Sequence, residues 1–135
     1  MMADLARLHA DVLAHPDSDA PRLAYAEAVA KTDAARADLI RMQLEIARMQ
    51  REGSNPAVLD SRVRTLLEKH KDAWAKDVAG VRGVKWVGFE RGFPEHVHMN
   101  ARDFIDHASE LFARARIRHL DLLEVKPHGG ELFQT

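Results

Sequence analysis

The sequence contains no cysteine. That absence excludes disulfides, thiolate zinc sites, iron–sulfur ligation and thiol nucleophiles together. Aromatic residues are scarce as well, at 6% of the chain with one tyrosine and two tryptophans, so few rings are on hand to interleave with cations on a nucleic-acid surface. Charge of one sign is not in excess: 20 Lys and Arg stand against 21 Asp and Glu, a net of -1. No whole-molecule field therefore draws the chain to nucleic acid or to an anionic membrane. Long apolar runs are missing too; none approaches the roughly 20 residues needed to cross a bilayer. The N-terminus, M-M-A-D-L-A-R-L-H-A-D, carries charge every few residues and lacks the apolar stretch of a signal peptide. A cytoplasmic protein with no membrane partner is the expectation.

What is present is an ordinary globular composition over 135 residues, 46% hydrophobic and 30% charged, enough for one domain with a core that needs no staples. Leu5, Leu8, Val12 and Leu13 recur at helical spacing before Pro16. Asp19 reads as an N-cap, followed by a second helix to about Lys31 that buries Leu23, Ala26 and Val29. Asp33 caps a third helix, Ala34 to about Glu52, in which Ala35, Leu39, Met42, Ile46 and Met49 form a four-three-four-three seam. A second stripe, Ile40, Leu44 and Ala47, lies beside it. Gly53-Ser54 ends that helix and Asn55-Pro56 starts a fourth with Leu59, Val63, Leu66 and His70, so the two form an antiparallel αα-hairpin.

After Ala79 the pattern changes to period two. Val84–Phe89 and Glu95–Met99 read as strands, Asn100 caps a helix holding Phe104, Ile105, Ala108, Leu111 and Phe112, and Ile117–Val125 reads as a last strand. The expected class is α+β: an N-terminal four-helix region (1–79) followed by a small β-sheet with one helix (80–135), all in a single domain. Pro127-His128-Gly129-Gly130 and the residues beyond read as a loose tail.

Several blocks carry a resemblance. His15-Pro16-Asp17-Ser18-Asp19-Ala20-Pro21-Arg22-Leu23 with Tyr25-Ala26, Arg36-Ala37-Asp38-Leu39-Ile40-Arg41-Met42-Gln43, Phe89-Glu90-Arg91-Gly92-Phe93-Pro94-Glu95 and Ile117-Arg118-His119-Leu120-Asp121-Leu122 occur in order along most of the chain. Together they resemble the bacterial repeat-companion domain that precedes leucine-rich repeats in myxobacterial and planctomycete proteins. The resemblance implies a fold that leads into a leucine-rich-repeat-like unit, and a context more than an activity. The chain ends about where such an array would begin. The expectation is therefore a truncated or stand-alone paralogue, or a last strand completed by another chain, because one repeat cannot cover its own apolar face.

Candidate functional residues follow from these patterns. Ile40, Leu44 and Ala47 on the third helix, and Ile117, His119, Asp121 and Leu123 on the last strand, are the candidate partner-binding surfaces, the second by strand addition. Asp19, Arg22, Asp33, Arg36, Arg91 and Gly92 read as caps and turns, with Arg22 or Arg36 tying interhelical turns through carboxylates. His96-x-His98 places two imidazoles on one strand face, and these are the candidate ligands should a metal bind, with His107, His119 or Asp121 to complete the set. Nothing accompanies Glu90, Glu95, Asp103 or Asp106 that would make a catalytic set, and no enzyme activity and no cofactor are expected. Arg36, Arg41, Arg48, Arg51, Arg62 and Arg64 could form a basic stripe, but Asp38, Glu45, Glu52, Asp60 and Glu68 interrupt it, so a solvated salt-bridged face is the expectation and nucleic acid is the alternative. The function expected is that of a non-catalytic adaptor in a bacterial cytoplasmic assembly, with another protein or a second copy of the chain as partner.

Overall fold

Side-chain oxygens set the starts of three helices. In the computed structural model, which describes residues 2–123, Asp33 caps a helix over Ala34–Arg51 by accepting from the Arg36 amide at 3.1 Å. Asn55 Oδ1 accepts from the Ala57 amide at 3.0 Å at the head of Ala57–Trp74. Asn100 Oδ1 accepts from the Arg102 and Asp103 amides at 2.9 and 3.3 Å at the head of Ala101–Arg114. Each bond satisfies an amide for which the helix itself has no acceptor. Asp19 does not act as a cap. Ser18 is the N-cap there, without a side-chain bond, and Asp19 is the first helical residue, its carboxylate 3.7 Å from Arg91 Nη1.

The order is α1 (Met2–Ala14), α2 (Asp19–Val29), α3 (Ala34–Arg51), α4 (Ala57–Trp74), α5 (Lys76–Ala79), β1 (Val84–Glu90), β2 (Phe93–Asn100), α6 (Ala101–Arg114) and β3 (His119–Leu123). The class is α+β, as expected, with the four-residue α5 an addition. The last strand is shorter than its sequence pattern: Ile117 precedes it, while Val125 and the Pro127–Gly130 segment lie outside the described residues. The described residues fall into two compact units, one running through Trp74 and including Glu90–Phe93, the other made of Ala75–Phe89 and Pro94 onward. The helices before the sheet run to Ala79, while the compact units divide at 74/75, where α5 packs with α6.

In the first unit α2 packs on both α1 and α3, and α3 also packs on α4. This central position of α3 overturns the exposed stripe expected on it. Ile40 is 0% and Leu44 7% exposed, in a core with Val12, Ala26, Val29, Ala37 and Phe93. Leu39 and Ile46 of the other stripe are buried too, and Ala47 is half-buried. Both apolar stripes are covered because the helix has a neighbour on each side. On α2 the buried face is Arg22, Ala26 and Val29, with Leu23 48% exposed. The helical period admits either register; what selects Arg22 is the set of carbonyls it meets inside.

In the second unit the sheet order is β1-β2-β3, with β2 and β3 parallel and joined through α6. Along β2, Glu95, Val97 and Met99 point inward and His96, His98 and Asn100 are half-exposed, the alternation of a sheet covered on one face. Val87 and Leu111 are also buried, and α6 packs on β3. Arg118 donates its amide to Glu95 O at 2.8 Å, and its guanidinium Nε lies 3.3 Å from the buried Glu95 carboxylate.

Candidate functional site

Two buried arginines hold a turn in the first unit. Arg91 and Gly92, the two residues between β1 and β2, both have positive φ (+48° and +87°), the pattern of a type I′ hairpin turn. Arg22 donates to Pro16 O at 2.9 Å, Arg91 O at 3.1 Å and Glu90 O at 3.4 Å. Arg36 donates from Nε and Nη2 to Gly92 O at 3.2 and 2.9 Å. Gln43 Oε1 accepts from the Gly92 amide at 2.7 Å, and Arg91 Nη2 donates to Pro16 O at 2.7 Å. Both arginines donate to main-chain carbonyls of this turn, which when buried have no water to turn to. Rings surround the Arg36 guanidinium, with Phe93, Trp74 and Tyr25 at 5.1, 5.8 and 5.9 Å. Burial lowers the Arg36 pKa, with the neighbouring Tyr25 and Asp33 opposing that shift. Asp33 has a second task, its Oδ2 accepting from Trp74 Nε1 at 2.8 Å. All six residues expected to shape caps and turns lie in or against this turn.

The basic stripe loses two members. Arg36 is inside, and Arg48 is held by Glu45, at 2.5 and 2.6 Å, and by Glu52. Arg41 and Arg62 line a groove of about 600 Å³ between α3 and α4 together with Asp38.

The second unit carries the denser constellation. Because β3 is parallel to β2 with His96 opposite His119 and His98 opposite Asp121, all four side chains fall on one face of the sheet. Asp121 Oδ2 stands 2.8 Å from His96 Nε2 and 2.9 Å from His98 Nε2. The hydrogen bond from His96, with the charge of His98, keeps the Asp121 carboxyl below the usual carboxylate range. The His119 ring lies 5.5 Å from that of His96. Trp86 of β1 closes the other flank, its ring 4.7 Å from His98 and 5.0 Å from His96. Gly88 makes this placement feasible, since a Cβ there would meet Trp86 Cη2 at 2.5 Å and His96 Cβ at 3.2 Å. His107 is elsewhere, paired with Glu110 at 3.5 Å on α6. The part played by Trp86 has no motif to announce it.

Strand β3 is itself a candidate surface. It is the last strand in the sheet order, hydrogen-bonded on one side only among the described residues. His119, Asp121, Leu122 and Leu123 are exposed, the two leucines at 49% and 40%, and Ile117 and Leu120 are half-buried. On α6, Ile105 and Phe112 are exposed seven residues apart, hence on one helix face.

No family model matches this chain, and neither a curated protein nor a solved structure does.

Proposed function

We propose that the chain is a protein-interaction module that docks an extended segment of its partner along β3. The observation that carries this reading is the outer edge: among the described residues the strand is paired on one side, with both of its last two leucines exposed. A strand edge offers a row of main-chain donors and acceptors, and the occupant that satisfies them is another strand. Leu122 lies on the side of the sheet that α6 covers, where the exposed Ile105 and Phe112 add apolar surface to the unit. The occupant is therefore an extended segment with apolar residues at alternate positions, from a bacterial assembly of the kind that the repeat-companion resemblance implies.

The test is to pan a phage-displayed library of short random peptides on the immobilised chain, beside a Leu122→Asp variant. Enriched peptides that alternate apolar and polar residues, and that Leu122→Asp releases, support the reading. A concentration-dependent dimer in sedimentation that Leu122→Asp abolishes supports it with a second copy as occupant. Binders with helical spacing, or binders indifferent to Leu122→Asp, refute it.

A further inference from the structure

The open face of the sheet holds a donor set that strand docking does not use. Two imidazoles and one carboxylate converge there, each offering one ligand atom, and the three atoms lie within 4.8 Å of one another. The backbone enforces the convergence. Alternation along β2 puts His96 and His98 on one face, and the parallel register sets Asp121 directly across from His98. We propose that His96, His98 and Asp121 form a binding site for a late first-row divalent metal ion, with Zn²⁺ the best-fitting species.

Donor chemistry selects the class. Imidazole nitrogen with a single carboxylate oxygen and no thiolate suits Zn²⁺, Co²⁺ or Ni²⁺, whereas Mg²⁺ and Ca²⁺ call for oxygen-rich cages. Geometry permits the ion after side-chain adjustment, since the three ligand atoms lie within 4.8 Å of one another. Zn–N and Zn–O bonds of roughly 2.0–2.2 Å at tetrahedral angles set neighbouring ligand atoms about 3.3 Å apart. The two histidine–aspartate separations, 2.8 and 2.9 Å, need to open by only a fraction of an ångström. The hydrogen bonds that Asp121 makes to both imidazoles thus hold the ligands near their bound positions beforehand. Three ligands from one sheet face leave the solvent side free for water, the arrangement of an open site. Trp86 walls the flank toward β1 and limits how widely the two histidines can swing. It also places an intrinsic fluorophore about 5 Å from the ligand rings.

The competing account is that Asp121 ties β3 to β2 through two hydrogen bonds and binds nothing. Titration of untagged, chelator-treated protein with Co²⁺ and then Zn²⁺ separates the two. The proposal expects saturation at one ion per chain, a tetrahedral Co²⁺ absorption band displaced by Zn²⁺, and Co²⁺ quenching of fluorescence that Trp86→Phe removes. His98→Ala and Asp121→Asn should each weaken binding by about 100-fold, at least the effect of removing a supporting group around a metal. His15→Ala, at an exposed histidine far along the chain, should leave it unchanged. Asp121→Asn keeps the shape of the side chain, so it decides the matter if His98→Ala alters the circular dichroism. Weak, unsaturating uptake spread over several histidines, or one-to-one binding that survives both ligand substitutions, overturns the proposal.

Discussion

Gly92→Ala tests the account of the buried turn most directly. Gly92 has φ +87°, and a Cβ on it would press on the Ile40 Cγ1 and meet the Ile40 Cα and Cβ at 2.7 and 2.8 Å. One of those atoms is main chain in the middle of α3, and Ile40 is 0% exposed, so neither side has room to yield. Gly53 supplies an internal control: φ is +78°, and nothing lies within 4 Å of its virtual Cβ. Gly53→Ala therefore carries only the left-handed backbone term, about 1 kcal/mol. Gly92→Ala carries the same term plus forced overpacking of about 1–3 kcal/mol. The expected cost is roughly 3 kcal/mol against about 1 for the control, and the difference isolates the clash. Urea unfolding would be followed by Trp74 fluorescence in a Trp86→Phe background, since Trp74 belongs to the helical unit and bonds to Asp33 there. Equal midpoint shifts for the two alanines would refute the claim that Gly92 is set by contact with Ile40.

Two further outcomes follow from the same unit. Arg36→Lys keeps the charge but loses the planar fork on Gly92 O and the ring contacts; leaving that buried carbonyl short of a donor should cost about 1–3 kcal/mol in urea unfolding, and a change below about 0.5 kcal/mol, the range of ordinary surface substitutions, would count against the clasp. The Glu45 carboxyl is held below its ordinary 4.5 by the hydrogen bond and charge of Arg48. A lowered folded pKa means that the pair's contribution is present above the unfolded value and lost as pH falls through the folded one. Glu45→Gln should therefore flatten the stability curve between about pH 5 and 3, and added salt should shrink the difference because both groups face solvent.

The parts legible in the sequence are those decided within a few residues. Asp33, Asn55 and Asn100 cap the helices that follow them because the acceptor and the amide it serves are neighbours in the chain. The α3–α4 hairpin follows from two apolar seams and a five-residue break (52–56) that holds Gly53 and Pro56, and His96 with His98 follows from simple alternation. What escaped needs distant partners. A helical period cannot choose between Leu23 and Arg22 for the inside position; three carbonyls at Pro16, Glu90 and Arg91 make that choice. An apolar stripe such as Ile40 and Leu44 says that something covers it, and only the position of α3 between α2 and α4 says that the cover is internal. Asp121 likewise stood among possible metal partners, but its place across from His98 depends on a parallel register spanning α6.

That register gives β3 two separable roles, and the separation is itself testable. Asp121 and Leu122 are adjacent, and successive side chains of a strand leave opposite faces. Asp121 belongs with the imidazoles, Leu122 with the helix-covered side, and the outer main-chain edge lies between them. Asp121→Asn should therefore weaken one-to-one metal binding by about 100-fold while peptides selected on the edge still bind. Leu122→Asp should release those peptides while Co²⁺ still gives its tetrahedral spectrum. The edge groups themselves are main chain, so neither substitution removes them, and any crossover must come through the strand's position. If Asp121→Asn eliminates both activities, the aspartate is what keeps β3 on β2, and the edge and the metal face are one surface rather than two.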